Sequence, residues 1–381
     1  MRRIFVFLLA ICLLLPMGVR AVAVEKEVGG KSAVLMDAAT GTVLYEKNAH
    51  EPLPPASVTK VMTMLLIMEA IDSGKISWND TVTASDTAAA KGGSQIFLKA
   101  GETMTVSDMV KAIAVSSAND CACAMAEHIA GSEGAFVTQM NKRAGELGME
   151  HTHFVNCTGL DDEPEAAQHL TCAYDIAVMS RQLLVYHPDI KKFTTIWMDT
   201  VRNGSFGLAN TNKLVRFYQG ATGLKTGFTA KAGYCLSASA LRDGMELIAV
   251  VMGAETSQKR FDTCKGLLDY GFANFALVQP EAAEGQVPVT LGLSGHVAVV
   301  PAENPKLLVD KAQRTDVTVQ IRLDEEVAAP VSQGQRLGTM TLRCGEQVLA
   351  QVPMVAAEAV PRLNWWQIFM RVLKQIAMGK Q

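Results

Sequence analysis

Hydrophobic and polar positions fall into blocks with different periods along this chain. Residues 32–47 read S-A-V-L-M-D-A-A-T-G-T-V-L-Y-E-K, two β-rich runs around Ala39-Thr40-Gly41, which predicts a β-hairpin. Residues 57–71 are apolar almost all round, the pattern of a helix buried in a domain centre. Helical periods continue at 109–130, 136–147 and 173–184. Strand patterns return at 222–229, 233–240 and 246–253 with tight turns between them, and 259–275 reads as an amphipathic helix. Strands at both ends with helices between them predict an α+β domain whose N- and C-terminal parts share one sheet. After Gln279-Pro280, alternating runs such as V-T-V-Q-I-R-L at 317–323 replace the helical period, predicting a small all-β domain to about residue 360.

The two ends carry signals of their own. Arg2 and Arg3 precede an apolar run over 4–15, then Pro16, Gly18 and the small residues Ala21-Val22-Ala23, the layout of a secretory signal cleaved after Ala23. A membrane-spanning anchor is the rival reading, but Pro16 and Arg20 break the run short of a span. At 361–381 an amphipathic helix is expected. Trp365, Ile368, Phe369, Val372 and Ile376 share one face, with Gln367, Arg371, Lys374 and Gln375 opposite. A surface helix packed on a domain has the same period. Adjacent tryptophans and basic residues on the polar face point instead to a membrane surface. The expected division is a signal at 1–23, a main domain at 24–278, a β-rich domain at 279–360 and the helix at 361–381. The implied location is exported, at the outer face of the cytoplasmic membrane or in the cell-wall space.

Composition narrows the function classes. Of 381 residues 49% are hydrophobic and 19% charged, enough apolar side chain for a sizeable core, and a net charge of −3 offers no excess cation for nucleic acid. Seven cysteines follow the signal (Cys121, Cys123, Cys157, Cys172, Cys235, Cys264 and Cys344), and none has C-x-x-C spacing, so most read as small buried hydrophobes. His151, His153 and Cys157 are a conceivable metal set, but H-x-H suits a strand equally and no second cluster completes it. No metal or organic cofactor is expected.

Candidate chemistry begins at Pro54-Pro55-Ala56-Ser57-Val58-Thr59-Lys60. With Ser57 starting the apolar helix, Ser57 and Lys60 lie three residues apart on one face. A serine hydroxyl needs a neighbour to take its proton, and a lysine serves only where burial, the positive helix end or another cation disfavours its ammonium. Alone, S-x-x-K arises by chance about once in a chain this long, with Ser57 then a plain N-cap. Ser116-Ser117-Ala118-Asn119-Asp120 adds S-x-N, a polar break in an apolar stretch, and Lys225-Thr226-Gly227 adds K-T-G on a glycine-bearing strand. Three such elements in this order make chance a poor account.

The sequence resembles the serine-type D-alanyl-D-alanine carboxypeptidases, the low-molecular-weight penicillin-binding proteins. The resemblance covers most of 30–275, including G-S-Q-I-F-L-K at 93–99 and G-L-K-T-G-F-T-A-K-A-G-Y at 223–234. It implies a β-lactamase/transpeptidase-like domain, an antiparallel sheet flanked by helices, followed by a small β domain and an amphipathic helix. It further implies that Ser57 attacks the bond between the terminal D-alanines of a peptidoglycan stem peptide, with Lys60 as base. Ser117 would relay the proton to the leaving amine, Asn119 hold the substrate amide, and Lys225 and Thr226 receive the carboxylate. Beyond Gly227, the Phe228 and Ser57 amides would form the oxyanion site, and Arg260 would supply a further cation unless it is merely an exposed helix-start arginine. Penicillin would acylate Ser57.

Some positions depart from the pattern. Phe228 stands where many relatives carry histidine, and Asp161-Asp162-Glu163-Pro164-Glu165 differs in length and charge and reads as a solvated loop. Class A β-lactamases share S-x-x-K and K-T-G, but their E-x-x-L-N is absent near 161–170 and S-A-N replaces S-D-N, so slow release of a penicilloyl group is expected. A non-catalytic penicillin-binding sensor or wall scaffold remains a third reading, and carboxypeptidase against endopeptidase preference stays open.

Overall fold

The computed structural model describes residues 28–162, 164–281 and 284–377; the expected signal at 1–23 lies outside the described residues. Strands β1 (Ser32–Asp37) and β2 (Val43–Lys47) form the expected hairpin, its turn closed by Asp37, whose carboxylate accepts from the Thr40 amide at 2.8 Å. Three later strands, β3 (Ala221–Thr229), β4 (Gly233–Arg242) and β5 (Met245–Ala254), complete a five-stranded sheet in the order β2-β1-β5-β4-β3. Its centre is the antiparallel β1–β5 pair, from Ser32 against Met252 to Asp37 against Leu247. The two ends of the region therefore share one sheet, and β3, paired only with β4, presents its other edge outward.

Helices cover both faces. Helix α1 (Lys60–Asp72) is buried on nearly every side, as its unbroken apolar sequence requires. It does not begin at Ser57. Residues Ala56–Thr59 form a separate 3-10 turn, because Ala56 after Pro54-Pro55 takes φ +48°, outside helical space. The helix-rich stretch over 109–130 is two helices, α2 (Val106–Ser116) and α3 (Asn119–Ala130), divided at the polar cluster where Ser117 adopts the left-handed conformation at φ +64°. Helix α4 (Ala173–Tyr186) packs beside α1, and α5 (Ser257–Asn274) lies across the opposite face. Alternation along β5 sorts the two cores: Ile248, Val250 and Met252 join the α1 side, whereas Leu247, Ala249 and Val251 meet Phe261, Leu267 and Leu268 of α5.

The C-terminal part is all β, as the alternating pattern predicts. Six strands between Gly285 and Ala356 form one sheet around Val287, Val297, Leu337, Met340, Leu342 and Met354. Phe275–Val278 pairs antiparallel with Leu307–Asp310, tying α5 directly to this part. Helix α6 (Trp365–Ala377) follows, and Trp365, Trp366, Met370 and Ile376 are each at least 60% exposed. Among the described residues no helix is long and apolar enough to cross a membrane.

Candidate active site

In a 3-10 turn residues three apart eclipse one another. Ser57 and Lys60 accordingly stack, with Lys60 Nζ donating to Ser57 Oγ at 3.0 Å and to the Thr158 carbonyl at 2.8 Å. Lys60 is wholly buried, and desolvation pushes its pKa down to about 7, with Cys157 and Asp120 acting weakly the other way. A lysine tuned to this range releases its proton near neutrality, which is what a general base for a serine hydroxyl requires.

The backbone before Ser57 is strained. Holding the non-glycine Ala56 at φ +48° costs about 1–3 kcal/mol, so surrounding contacts must enforce it. Thr59 Oγ1 donates to the Ala56 carbonyl at 2.8 Å, and Gly159 lies so close that a Cβ there would stand 1.9 Å from the same oxygen. On the other side, a Cβ on Gly227 would approach Pro55 O to 2.7 Å and Ser57 N to 3.1 Å. Only glycine lets the outer edge of β3 lie against the Ser57 backbone.

The break between α2 and α3 supplies the next groups. Ser117 is 3% exposed, and its Oγ has no hydrogen-bond partner among the described residues. Asn119 donates from Nδ2 to Gly92 O at 2.7 Å, while its buried Oδ1 is equally unpartnered. Buried polar atoms left open in this way are unfavourable unless another molecule completes them. Asp120 accepts the amides of Ile96 and Leu98 at 3.1 and 3.0 Å, and Arg202 donates to the carbonyls of Ile96 and Phe97 at 2.7 and 3.2 Å. The loop carrying G-S-Q-I-F-L-K is thus clamped from both sides beside Asn119, whose amide bonds Ser94 O at 2.7 Å.

Along β3, Lys225 is 1% exposed, and burial first, then the charges of Lys60 and Arg260, hold its pKa well below the ordinary lysine range. Thr226 Oγ1 donates to Thr211 Oγ1 at 2.6 Å, and the Thr211 amide bonds Val115 O at 3.1 Å, which joins the strand to the end of α2. Arg260 is not the exposed arginine of the alternative reading: it is 7% exposed and its Nη1 donates to Gly227 O at 2.8 Å and Cys235 O at 3.2 Å. Its guanidinium lies over Tyr234, on which the half-exposed Phe228 ring stacks at 4.2 Å. Three basic side chains, Lys60, Lys225 and Arg260, therefore gather at one place, an arrangement that suits a carboxylate ligand.

The Ser57–Lys60 pair, the S-x-N turn and the K-T-G strand, from three segments, are brought together. The conceivable metal set is not: the Cys157 thiol turns to Glu133 Oε1 at 3.2 Å, His151 packs edge-on to His50, and among the described residues no three such side chains form a metal-binding group. The six cysteines from Cys121 to Cys264 are buried thiols and Cys344 is partly exposed. Thr59, Thr158, Asp120, Arg202, Thr211 and His169 also shape the site and were not singled out by sequence. Asp120 alone had a local signal, its place directly after S-x-N.

Comparison with known proteins points to one family. The family profile described as D-alanyl-D-alanine carboxypeptidase matches residues 19–256, and that of the penicillin-binding protein 5 C-terminal domain matches 272–362. D-alanyl-D-alanine carboxypeptidase DacF of Bacillus subtilis is 44% identical over 350 residues, 90% of this chain and 89% of that protein. The crystal structure of penicillin binding protein 5 from Haemophilus influenzae superposes with a TM-score of 0.75 at 29% identity, covering 88% of this chain and 99% of that one. Penicillin-binding protein D2 from Listeria monocytogenes in its cefotaxime-bound form gives 0.60 at 32% identity over 65% of this chain and 98% of that one.

Proposed function

The chain belongs to the D-alanyl-D-alanine carboxypeptidase family and is a serine-type DD-carboxypeptidase acting on peptidoglycan, and from that premise we propose that its reaction runs through Ser57. Lys60 takes the Ser57 proton as Oγ attacks the carbonyl between the two terminal D-alanines of a stem pentapeptide. The tetrahedral oxyanion is met by the backbone amides of Ser57 and Phe228, each such donor lowering the barrier by ~2.7–4 kcal/mol. Ser117 passes the proton to the departing amine, D-alanine leaves, and water then hydrolyses the acyl group on Ser57. Asn119 holds the substrate amide through its unpartnered Oδ1.

The terminal carboxylate docks at Thr226 and Lys225, where its negative charge favours the ammonium form that burial, with the charges of Lys60 and Arg260, disfavours. Arg260 supports this from behind by fixing Gly227 O. The observation that carries the reading is the 3.0 Å contact between Ser57 Oγ and a buried lysine poised at about 7. Release of D-alanine from a pentapeptide ending in D-Ala-D-Ala tests it: Ser57→Ala loses the activity by at least about 10⁴-fold while remaining folded, and retained turnover moves the nucleophile elsewhere.

β-Lactams acylate the same serine in this reading, as suggested by the cefotaxime-bound relative. Helix α6 anchors the enzyme at a membrane surface on the cell-wall side. What supports this is the uncovered apolar face of Trp365, Phe369, Val372 and Ile376, joined to the β part through Arg371 and Gly292 O at 3.3 Å. Deleting residues 361–381 then releases the protein from sedimented membranes; unchanged sedimentation refutes the anchor.

A further inference from the structure

His169 is buried, 3% exposed, and has no task in the mechanism above. Its surroundings fix its tautomer. A backbone amide only donates, so the Nδ1 that receives the Val155 N–H at 3.2 Å carries a lone pair. The proton of the neutral ring then sits on Nε2, 2.8 Å from Thr59 Oγ1. That hydroxyl gives its own proton to the Ala56 carbonyl, also at 2.8 Å. Every direction in the series Val155, His169, Thr59, Ala56 is determined, and the series ends on the strained residue immediately before Ser57.

The neighbouring chain makes this a rigid support. His153 and Leu170 exchange backbone bonds at 2.8 and 3.1 Å, and Leu53 and Thr171 do the same at 2.7 and 3.0 Å, so the residues around His169 are tied to the segment that delivers Ser57. Burial, with His153 and Lys60 adding to it, pushes the His169 pKa down to about 4, which keeps the ring neutral at the pH where Lys60 works.

We propose that His169 is a positioning residue for acylation: through the Thr59 hydroxyl, its Nε2–H locks Ala56 in the left-handed conformation that aims the Ser57 amide and hydroxyl. This rests on the reading of Ser57 as nucleophile. The attack geometry is sensitive to displacements on the order of 1 Å, so loosening Ala56 slows chemistry more than it weakens binding.

Glutamine and asparagine at position 169 separate the two ring nitrogens. The Gln amide NH₂ falls near Nε2 and keeps the donor to Thr59; the Asn carbonyl falls near Nδ1 and keeps only the Val155 contact. The test measures acylation by a chromogenic cephalosporin, together with kcat and KM for D-alanine release, in His169→Gln, His169→Asn, Thr59→Val and the double variant His169→Asn/Thr59→Val. Expected are losses of about 10- to 100-fold in acylation and kcat for His169→Asn and Thr59→Val, with KM within about twofold. The double variant is expected to be no slower than Thr59→Val, and His169→Gln at least about tenfold faster than His169→Asn.

Equal rates for Gln and Asn, independent losses that multiply in the double variant, or an effect confined to KM overturn the proposal. Should His169→Asn not fold, Thr59→Ser against Thr59→Val decides, since serine keeps the relay and valine removes it. Peptide mapping of the acyl adduct keeps the two claims apart. An adduct away from Ser57 defeats the catalytic reading itself, whereas an adduct on Ser57 formed at the native rate in Thr59→Val defeats the relay alone.

Discussion

The two largest sheets among the described residues differ in the polar groups they bury beside their apolar cores. Around the five-stranded sheet the interior holds Lys60, Lys225, Asp120, Asn119, His169 and Arg260, alongside the strained Ala56 and Ser117. In the C-terminal sheet every buried described residue is apolar or glycine. Both parts fold by covering apolar faces, but the first also buries ionisable side chains and open polar atoms around one serine. Stability and chemistry are therefore separable by region: what destabilises the first is what works on substrate, and what stabilises the second is inert toward it.

The largest effect that breaks this contrast comes from Lys60→Met. Removing the base while keeping the side-chain volume is expected to lower kcat about 10²- to 10⁴-fold with little loss of folding, as followed by D-alanine release and thermal unfolding. In the native enzyme the same group sets the pH dependence. Because the neutral amine is the active form and its pKa is about 7, kcat/KM rises with pH through about 7 and the acid limb disappears in the variant. The folded value lies below the ordinary 10.5, so the unfolded chain binds more protons between about 7 and 10.5. Lys60's cost to folding is thus greatest below that window and fades as pH rises through it.

The converse change belongs in the other sheet. Leu342→Ala removes a fully buried side chain from the β core and is expected to cost about 2–5 kcal/mol of that part's stability, seen as a lower unfolding transition, with D-alanine release per folded molecule unchanged. A fall in activity with the fold intact erases the division of labour. Smallest is Lys225→Met, which replaces a buried ionisable chain, its Nζ donating to Thr226 O at 2.9 Å, by an apolar one. Calorimetry is expected to show a gain on the order of 1 kcal/mol while substrate KM rises; a loss of stability means the cation is better compensated than its surroundings imply.

What sequence conveyed and what it hid divide along the same line. Period-two and period-3.6 patterns located the hairpin, the shared sheet, the central helix and the β part, because burial of apolar faces is written locally. Ser57, Lys60, Ser117, Asn119 and the K-T-G strand were legible as polar exceptions inside apolar runs. The polar break at 116–120 marked the split between α2 and α3, but the 3-10 turn at Ala56–Thr59 was not legible, since an alanine at positive φ is imposed by distant partners and leaves no local mark. His169 is 110 residues from the Thr59 it supports, and its own surroundings in sequence resemble an ordinary loop. Arg260 reads as a surface helix residue until the sheet is placed above it.

The most direct test of the central claim is mass spectrometric mapping of the protein after brief exposure to penicillin. One penicilloyl group is expected on the peptide containing Ser57, lost over far longer than seconds and absent in Ser57→Ala. A label on another residue, no label, or release within seconds contradicts it.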